Sequence, residues 1–434
     1  MINTVIPHKI RKKFYEKLCR IDILRDAWHH VHSNITISKD KKIKDKANDF
    51  ANNEFDRLNC LQKKLKEHKF TFSAHATPIK KQGKNKERPV VNIDTIEGRI
   101  VQKAILDILQ AQDGLKKYLQ CKVSYGGLAD KNVAKAVNEI YISLRDKGHI
   151  YAKAVDITSF FTKIKKDVVI EKIKEFCKDA DFLKILDEAV NLKLSNLDDL
   201  KNNKDREYLY EQYIYNEEGV PQGSCLSPLF GNIFLYEIDK KMEKNTDITY
   251  IRYIDDVIIL SQEKKYIKKA FDKILTLELA KLGLELSNDK TTSCINLKKD
   301  SISYLGVDIS EGRIKPTQKA MDKFIDSIKD LLNDALNMKA VEKKSLYEIL
   351  DIIDKKIKGW ACHYSFCHAY NEMKGFDSKV DRLVCDFYKR YQAKLSNLSV
   401  EELRKELGIK RATEAIDEKK DIISSYINQR KNNR

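Results

Sequence analysis

The chain has 434 residues, 42% of them hydrophobic, and carries 82 Lys and Arg against 65 Asp and Glu, a formal charge of +17. That length and apolar content exclude a disordered chain and suit two or three packed domains. The basic excess, spread along the chain, fits a polyanion such as nucleic acid, or a plain solvated lysine-rich surface.

Nine scattered cysteines, an odd number, argue against a disulfide framework and for a reduced compartment. No apolar run approaches the ~18 residues of a membrane span. The N-terminus "MINTVIPHKIRKKFYEK" lacks a signal-peptide core. A soluble cytoplasmic protein with no membrane partner is the expectation.

In chain order, residues 1–75 read as helical and polar. A Lys-rich turn, "IKKQGKNKER" at 79–88, leads into the strand "RPVVNI". Ile100, Val101, Ala104, Ile105, Ile108 and Leu109 recur at helical spacing. "YAKAVDI" at 151–157 reads as a strand, and 178–216 as helix plus polar surface loop. "GVPQGSCLSPLFGNIFLYEID" at 219–239 is a Gly/Pro-marked turn feeding a helix. Ile267, Ala270, Phe271, Ile274 and Leu275 mark another helix. Residues 301–317 read as a hairpin turning at Glu311-Gly312, and everything after Pro316 as helical. There is no internal repeat and no low-complexity linker. The order implies a central α+β domain between a basic β-rich lobe and a helical lobe.

One stretch resists a purely structural reading. In "YIRYIDDVIIL", residues 250–260, Asp255 and Asp256 interrupt apolar runs fit for a sheet core. Unpaired buried carboxylates are costly. A hairpin tip would expose them, and taken alone a plain Asp-Asp turn explains them. "AVDITSFF" adds Asp156 at the end of another strand. Three carboxylates at strand ends can hold two Mg²⁺ ions, which take oxygen ligands and complete their shells with substrate phosphates. Such a pair activates an attacking 3′-hydroxyl and stabilises leaving pyrophosphate. If the strand runs through the motif, Tyr253 and Asp255 share one face.

These residues carry a family resemblance. "YIDD" resembles the Y-x-D-D signature of reverse transcriptases, and "DITSFF" their first palm motif. "GVPQGSCLSPLFGNIFL" is similar to the G-x-P-Q-G…S-P motif of the group II intron-like lineage, and "LGLELSNDKT" and "SYLGVDI" match the two motifs that follow. Upstream, "RPVVNIDTIEGRIVQKAILDIL" resembles the fingers segment R-P…D-R-I-V-Q, and "SYGG" resembles S-Y-G-F. Glu97-Gly98-Arg99 stands where Asp-Arg is usual. The resemblance spans about 65–310.

It implies a right-hand polymerase fold: fingers at 1–150, an RRM-like palm at 151–315 and a helical thumb at 316–434. Asp156 and Asp255 would be the main ligands of two Mg²⁺ ions, Mn²⁺ substituting, with Asp256 and the carbonyl of Ile157 alongside. Phe161 looks like the steric gate against a ribose 2′-hydroxyl. Phe160 is assigned to the core, because adjacent strand residues face opposite ways. Gln222 is placed near the incoming nucleotide. Lys81 and Arg88 resemble fingers residues that grip a triphosphate. Arg99 is a candidate for template or triphosphate, and Lys290 resembles a proton donor to pyrophosphate.

"KKIKGWACHYSF" at 355–366 resembles the thumb of the same lineage. There Trp360, His363 and Tyr364 would line an RNA–DNA duplex and Lys358 would touch phosphate, with core packing an equal reading for Trp360. Cys362, His363, Cys367 and His368 have the spacing of half a zinc site. Without a second half they read as helix packing.

About seventy residues follow Trp360, no retron-type V-T-G occurs, and "LKEHKFTFSAHATPIKKQGK" leads into "RPVV". The chain thus looks most like a defence-associated (antiphage) bacterial reverse transcriptase. The implied activity is cDNA synthesis from dNTPs on an RNA template, a structured noncoding RNA, with no oligomeric state assigned. An RNA-binding maturase and a template-independent, protein-primed polymerase stay open.

Overall fold

The computed structural model describes residues 13–38, 40–80, 87–196, 198–199, 202, 218–287, 289, 291–337, 346–368 and 370–406. The chain divides into two compact units, Met1–Asn296 and Leu297–Arg434.

The first unit opens with α1 (Lys13–Leu18), α2 (Ile21–Thr36), α3 (Lys41–Asn52) and α4 (Glu54–Lys66). Then come the hairpin β1 (Ala74–Lys80) and β2 (Glu87–Ile93), followed by α5 (Ile96–Gln110), α6 (Asp113–Leu119) and α7 (Val133–Asp146). On α2, Leu24, Ala27, Trp28, Val31 and Ile35 are buried. Their three-and-four spacing makes one apolar stripe, which packs on α5. There Ile100, Val101, Ala104, Ile105, Ile108 and Leu109 all point inward.

After β3 (Tyr151–Asp156) come α8 (Lys166–Lys174) and α9 (Ala180–Val190). Asp179, buried at the start of α9, accepts the Phe182 N–H at 3.2 Å on one oxygen. Its other oxygen accepts the Phe14 and Tyr15 N–H groups at 3.1 and 2.8 Å. One carboxylate thus caps two helix starts and fastens the N-terminal helices to the body of the unit.

The central sheet is antiparallel, with order β4-β5-β3-β6. It is built from β3, β4 (Thr249–Tyr253), β5 (Asp256–Ser261) and the short β6 (Ile295–Asn296). Every residue of β5 after Asp256 is buried, which explains the unbroken apolar run. Helix α10 (Ser227–Glu243) buries Leu229, Phe230, Ile233, Phe234, Ile238 and Met242, and so runs through the core rather than over it. Three polar residues, Ser227, Asn232 and Asp239, are buried with them.

His149 lies between α7 and β3, 5% exposed, and its Nδ1 makes no hydrogen bond. Burial, with the nearby Lys147 charge, pushes its pKa down to about 4. The unfolded chain takes up this proton near pH 6.5. Stability is therefore complete above that value and is lost as the pH falls toward about 4, at up to ~1.4 kcal/mol per pH unit. Unfolding midpoints measured across this window should slope for the wild type and flatten for His149→Phe.

The second unit opens with a meander, β7 (Ile302–Tyr304), β8 (Val307–Ser310) and β9 (Arg313–Pro316). The expected single hairpin is corrected here. Glu311-Gly312 joins β8 to β9, and a second turn at Leu305-Gly306 adds β7. Both turn residues have positive φ, 48° and 82°, the geometry that matches strand twist in a two-residue hairpin. Helices Gln318–Asn337, Leu346–His363, Tyr370–Leu395 and Val400–Glu406 follow. They close on a separate core of Phe324, Ile328, Leu332, Ile353, Phe376, Val380, Phe387 and Tyr391. Among the described residues no helix is long and apolar enough to cross a membrane.

Candidate active site

The register of the central sheet brings the three aspartates to one end of it. Asp156 lies opposite Asp256 across β3 and β5, and Tyr253 lies opposite the same Asp256 across β4 and β5. Ile254 and Asp255 are the two-residue turn between β4 and β5. The strand stops at Tyr253, so strand alternation does not pair Tyr253 with Asp255; Tyr253 faces Asp256. The Ile157 N–H donates to the Asp255 carbonyl at 3.1 Å, drawing the end of β3 onto the turn. On the far edge of β3, Leu286 bridges Ile157, and the Ser287 N–H donates to the Asp156 carbonyl at 2.8 Å. Lys290, three residues on, lies outside the described residues.

Asp156 is only 8% exposed. Like charges directly opposite in a ladder repel, and a cation between them would relieve that repulsion. The groups that could serve as donors, three carboxylates and the Ile157 carbonyl, offer only oxygen. That hard set suits Mg²⁺ or Mn²⁺. Among the described residues no three His, Cys, Asp or Glu side chains are already gathered around a metal-sized point. An ion that takes part of its shell from substrate phosphate needs no closed protein cage.

The turn itself is strained. Ile254 has φ +59°, a left-handed conformation that is an outlier for a β-branched residue. "SYGG" makes room for it. A Cβ on Gly126 would stand 2.6 Å from both the Ile254 nitrogen and its Cγ1. The loop is stitched to β4 by two backbone bonds, Tyr125 N–H to the Arg252 carbonyl at 2.8 Å and Arg252 N–H to the Val123 carbonyl at 2.9 Å.

Beside the carboxylates, Phe160–Thr162 is a 3₁₀ turn rather than strand, entered through Ser159 at φ +52°. The turn, not strand alternation, separates the two rings. Phe160 is buried against Gly231 of α10, and Phe161 is half-buried, 5.3 Å from it. The Phe161 carbonyl accepts the Val220 N–H at 2.7 Å, joining this turn to "VPQG". The Gln222 carbonyl in turn accepts the Val91 N–H of β2 at 2.7 Å. Gly223 has φ +108°, and a Cβ there would meet the Val91 carbonyl at 2.8 Å. Only glycine permits both.

Arg88 lies in β2 with its backbone opposite Ile79. Lys81 lies outside the described residues. Arg99, in the first turn of α5, donates from Nε to the Ile93 carbonyl at 3.2 Å. Burial pulls its pKa down while Asp40 and Asp94 oppose that. This guanidinium ties α5 to the end of β2.

The family profile described as "Reverse transcriptase (RNA-dependent DNA polymerase)" matches residues 79–309, more than half of the chain. The chain belongs to the reverse transcriptase family. The group II intron-encoded protein LtrA of Lactococcus lactis subsp. cremoris is 24% identical over 344 residues, covering 77% of this chain and 54% of LtrA. Protein YkfC of Escherichia coli K12 is 24% identical over 257 residues, covering 51% of this chain and 62% of YkfC. The chain thus spans little more than half the length of these curated relatives. Among solved structures, a Candida albicans telomerase aligns over 78% of this chain and 61% of its own, at 13% identity and a TM-score of 0.42.

In the second unit of the chain, Trp360 stacks on Phe376 with ring centres 4.6 Å apart, and also touches Phe324 and Tyr364. Tyr364 is buried. Both rings are taken up by helix packing. His363 and Lys358 are exposed, and Lys358 donates to Asp354 at 2.7 Å. Cys362 is exposed too, and His363 packs edge-on against Tyr364 and Phe366.

Sequence reasoning missed a buried polar group behind the turn. Arg252, 1% exposed, donates from Nε and Nη2 to Asp239 of α10 at 2.8 and 2.5 Å. Its Nη1 donates to the Ile254 carbonyl at 2.9 Å and Nη2 to Asn232 Oδ1 at 3.1 Å. The Tyr250 hydroxyl donates to Asp239 at 3.1 Å, Ser124 to Asn232 at 2.9 Å, and Asn232 Nδ2 to the Gly126 carbonyl at 2.9 Å. Burial pushes the Arg252 pKa down, but Asp239 outweighs it and raises the pKa. The signal was available: a lone Arg inside an apolar strand and a lone Asp on a buried helix face each need a partner. Gln102 of "RIVQ" was missed likewise. It is buried, donates to the Ala189 carbonyl at 2.9 Å and accepts from Ser224 at 3.3 Å, bracing the "PQGS" turn.

Proposed function

We propose that this chain is an RNA-directed DNA polymerase whose active site is the β3 end and the β4–β5 turn. The single observation carrying this reading is the register that sets Asp156 opposite Asp256 with Asp255 at the adjoining turn, inside a chain of this family. Asp156, Asp255, Asp256 and the Ile157 carbonyl would hold two Mg²⁺ ions. When bound, these ions activate the primer 3′-hydroxyl and stabilise the departing pyrophosphate. Phe161 limits space at the sugar, Gln222 borders the nucleotide, and Arg88 and Arg99 serve the triphosphate or template strand. Exposed Lys358 and His363 contact the duplex.

Fingers, palm and thumb are assigned to 1–150, 151–315 and 316–434, with β7–β9 in the same compact unit as the helices after them. The natural template is a structured noncoding RNA and the setting is antiphage defence. That narrower reading is supported by the sequence resemblance around 65–90.

The test is extension of a DNA primer on an RNA of defined sequence. Complementary DNA is the expected product, and a product unrelated to the template would overturn the reading. Phe161→Ala should raise ribonucleotide use relative to deoxynucleotide use by about 10- to 100-fold, since a lost clash is worth roughly 1–3 kcal/mol. An unchanged ratio would remove Phe161 from the gate.

A further inference from the structure

We propose that Arg252 and Asp239 form a positioning device that fixes the catalytic turn; the inference rests on the polymerase reading above. A buried ion pair is a weak source of stability, because desolvation offsets its attraction and packed apolar residues do as well. Its retention here needs another reason, and the geometry supplies one. The guanidinium is a rigid planar fork. Asp239 holds two of its nitrogens at 2.8 and 2.5 Å, which fixes the plane. The remaining nitrogen, Nη1, is thereby aimed at the Ile254 carbonyl, 2.9 Å away.

That carbonyl belongs to the strained residue. A β-branched side chain at φ +59° persists only where its surroundings over-determine it. Gly126 receives the Ile254 side chain and nitrogen, and Arg252 holds its carbonyl. The next two residues are Asp255 and Asp256. Asp239 is itself oriented by the Tyr250 hydroxyl at 3.1 Å. A continuous run of short contacts thus leads from the core helix α10 to the carboxylate turn. Neither Arg252 nor Asp239 reaches substrate. They act through Ile254, and the order they impose is the placement of the Asp255 and Asp256 oxygens.

The experiment compares wild type, Asp255→Ala, Arg252→Lys and the double variant Arg252→Met with Asp239→Leu. Each is measured for unfolding midpoint, for affinity for a primed RNA, and for single-turnover nucleotide incorporation against Mg²⁺ concentration. The double variant exchanges the pair for apolar packing but removes hydrogen-bond partners of the Tyr250 hydroxyl, Asn232 and the Ile254 carbonyl. Its midpoint should therefore fall below wild type, while it stays folded at the assay temperature with wild-type RNA affinity. Its incorporation rate should fall, or its half-saturating Mg²⁺ concentration rise, by about 10- to 100-fold. Arg252→Lys keeps the charge but cannot span Asp239 and the Ile254 carbonyl together, so it should show the same split. A double variant that incorporates at the wild-type rate overturns the proposal. So does rate loss that only tracks lost RNA affinity or folding. If the double variant fails to fold, Arg252→Lys decides. If both fail while Asp255→Ala folds, the pair is structural only and the proposal falls. An inactive wild type refutes the polymerase reading instead, which separates the two failures.

Discussion

Asp255→Ala should reduce nucleotide incorporation by about 10³-fold or more while leaving the fold and RNA affinity intact. Asp255 is a turn residue, and its backbone carbonyl, not its side chain, accepts the Ile157 N–H that joins β3 to the turn. Alanine keeps that bond. On the proposed assignment, what is removed is an oxygen ligand at a centre where metal stabilisation of transition-state charge is worth several kcal/mol, about three powers of ten in rate. Single-turnover incorporation, an unfolding midpoint and an RNA-binding titration together check this. Activity within tenfold of wild type would show that Asp255 is not a ligand.

Gly126→Ala is expected to cost about 10- to 100-fold in incorporation with the protein still folded. The new Cβ would stand 2.6 Å from the Ile254 backbone nitrogen, a contact that no side-chain rotation relieves. The turn or the loop must move by several tenths of an ångström. The Arg252 and Tyr125 bonds resist movement of the loop relative to β4, so the displacement passes into the residues that carry Asp255 and Asp256. A rate constant equal to wild type would mean that the turn tolerates the shift, and that its strained geometry is incidental.

Much of this site was legible because the chemistry requires residue types at short range. Two adjacent Asp in an apolar run, and a third before "ITSFF", cannot be explained by core packing, and the "PQG" string carries its turn chemistry in its own letters. What was not legible depends on long-range geometry. Ile254 reads as an ordinary strand residue, and its positive φ follows only from the register of β4 with β5. Phe160 and Phe161 sit in a 3₁₀ turn that strand alternation does not foresee. The turn at Leu305-Gly306 lacks the Asn-Gly or Asp-Gly signature, so β7 was merged into a single hairpin. The Arg252–Asp239 pair joins a strand to the helix before it, and its meaning appears only when both are seen to be buried. In the second unit, Trp360 and Tyr364 carry the composition of a stacking surface, yet their rings are already packed against Phe324 and Phe376 or each other.

On the proposed assignment, the β3 end and the β4–β5 turn form one metal site. Fe²⁺ in place of Mg²⁺, with ascorbate and peroxide, generates hydroxyl radicals that cut the backbone beside a bound ion, and the cuts can be mapped by mass spectrometry. Cleavage is expected only in the segments around Asp156–Ile157 and Ile254–Asp256, suppressed by excess Mg²⁺ and lost in Asp255→Ala. Cleavage elsewhere, or cleavage at these segments that persists in Asp255→Ala, would contradict that assignment.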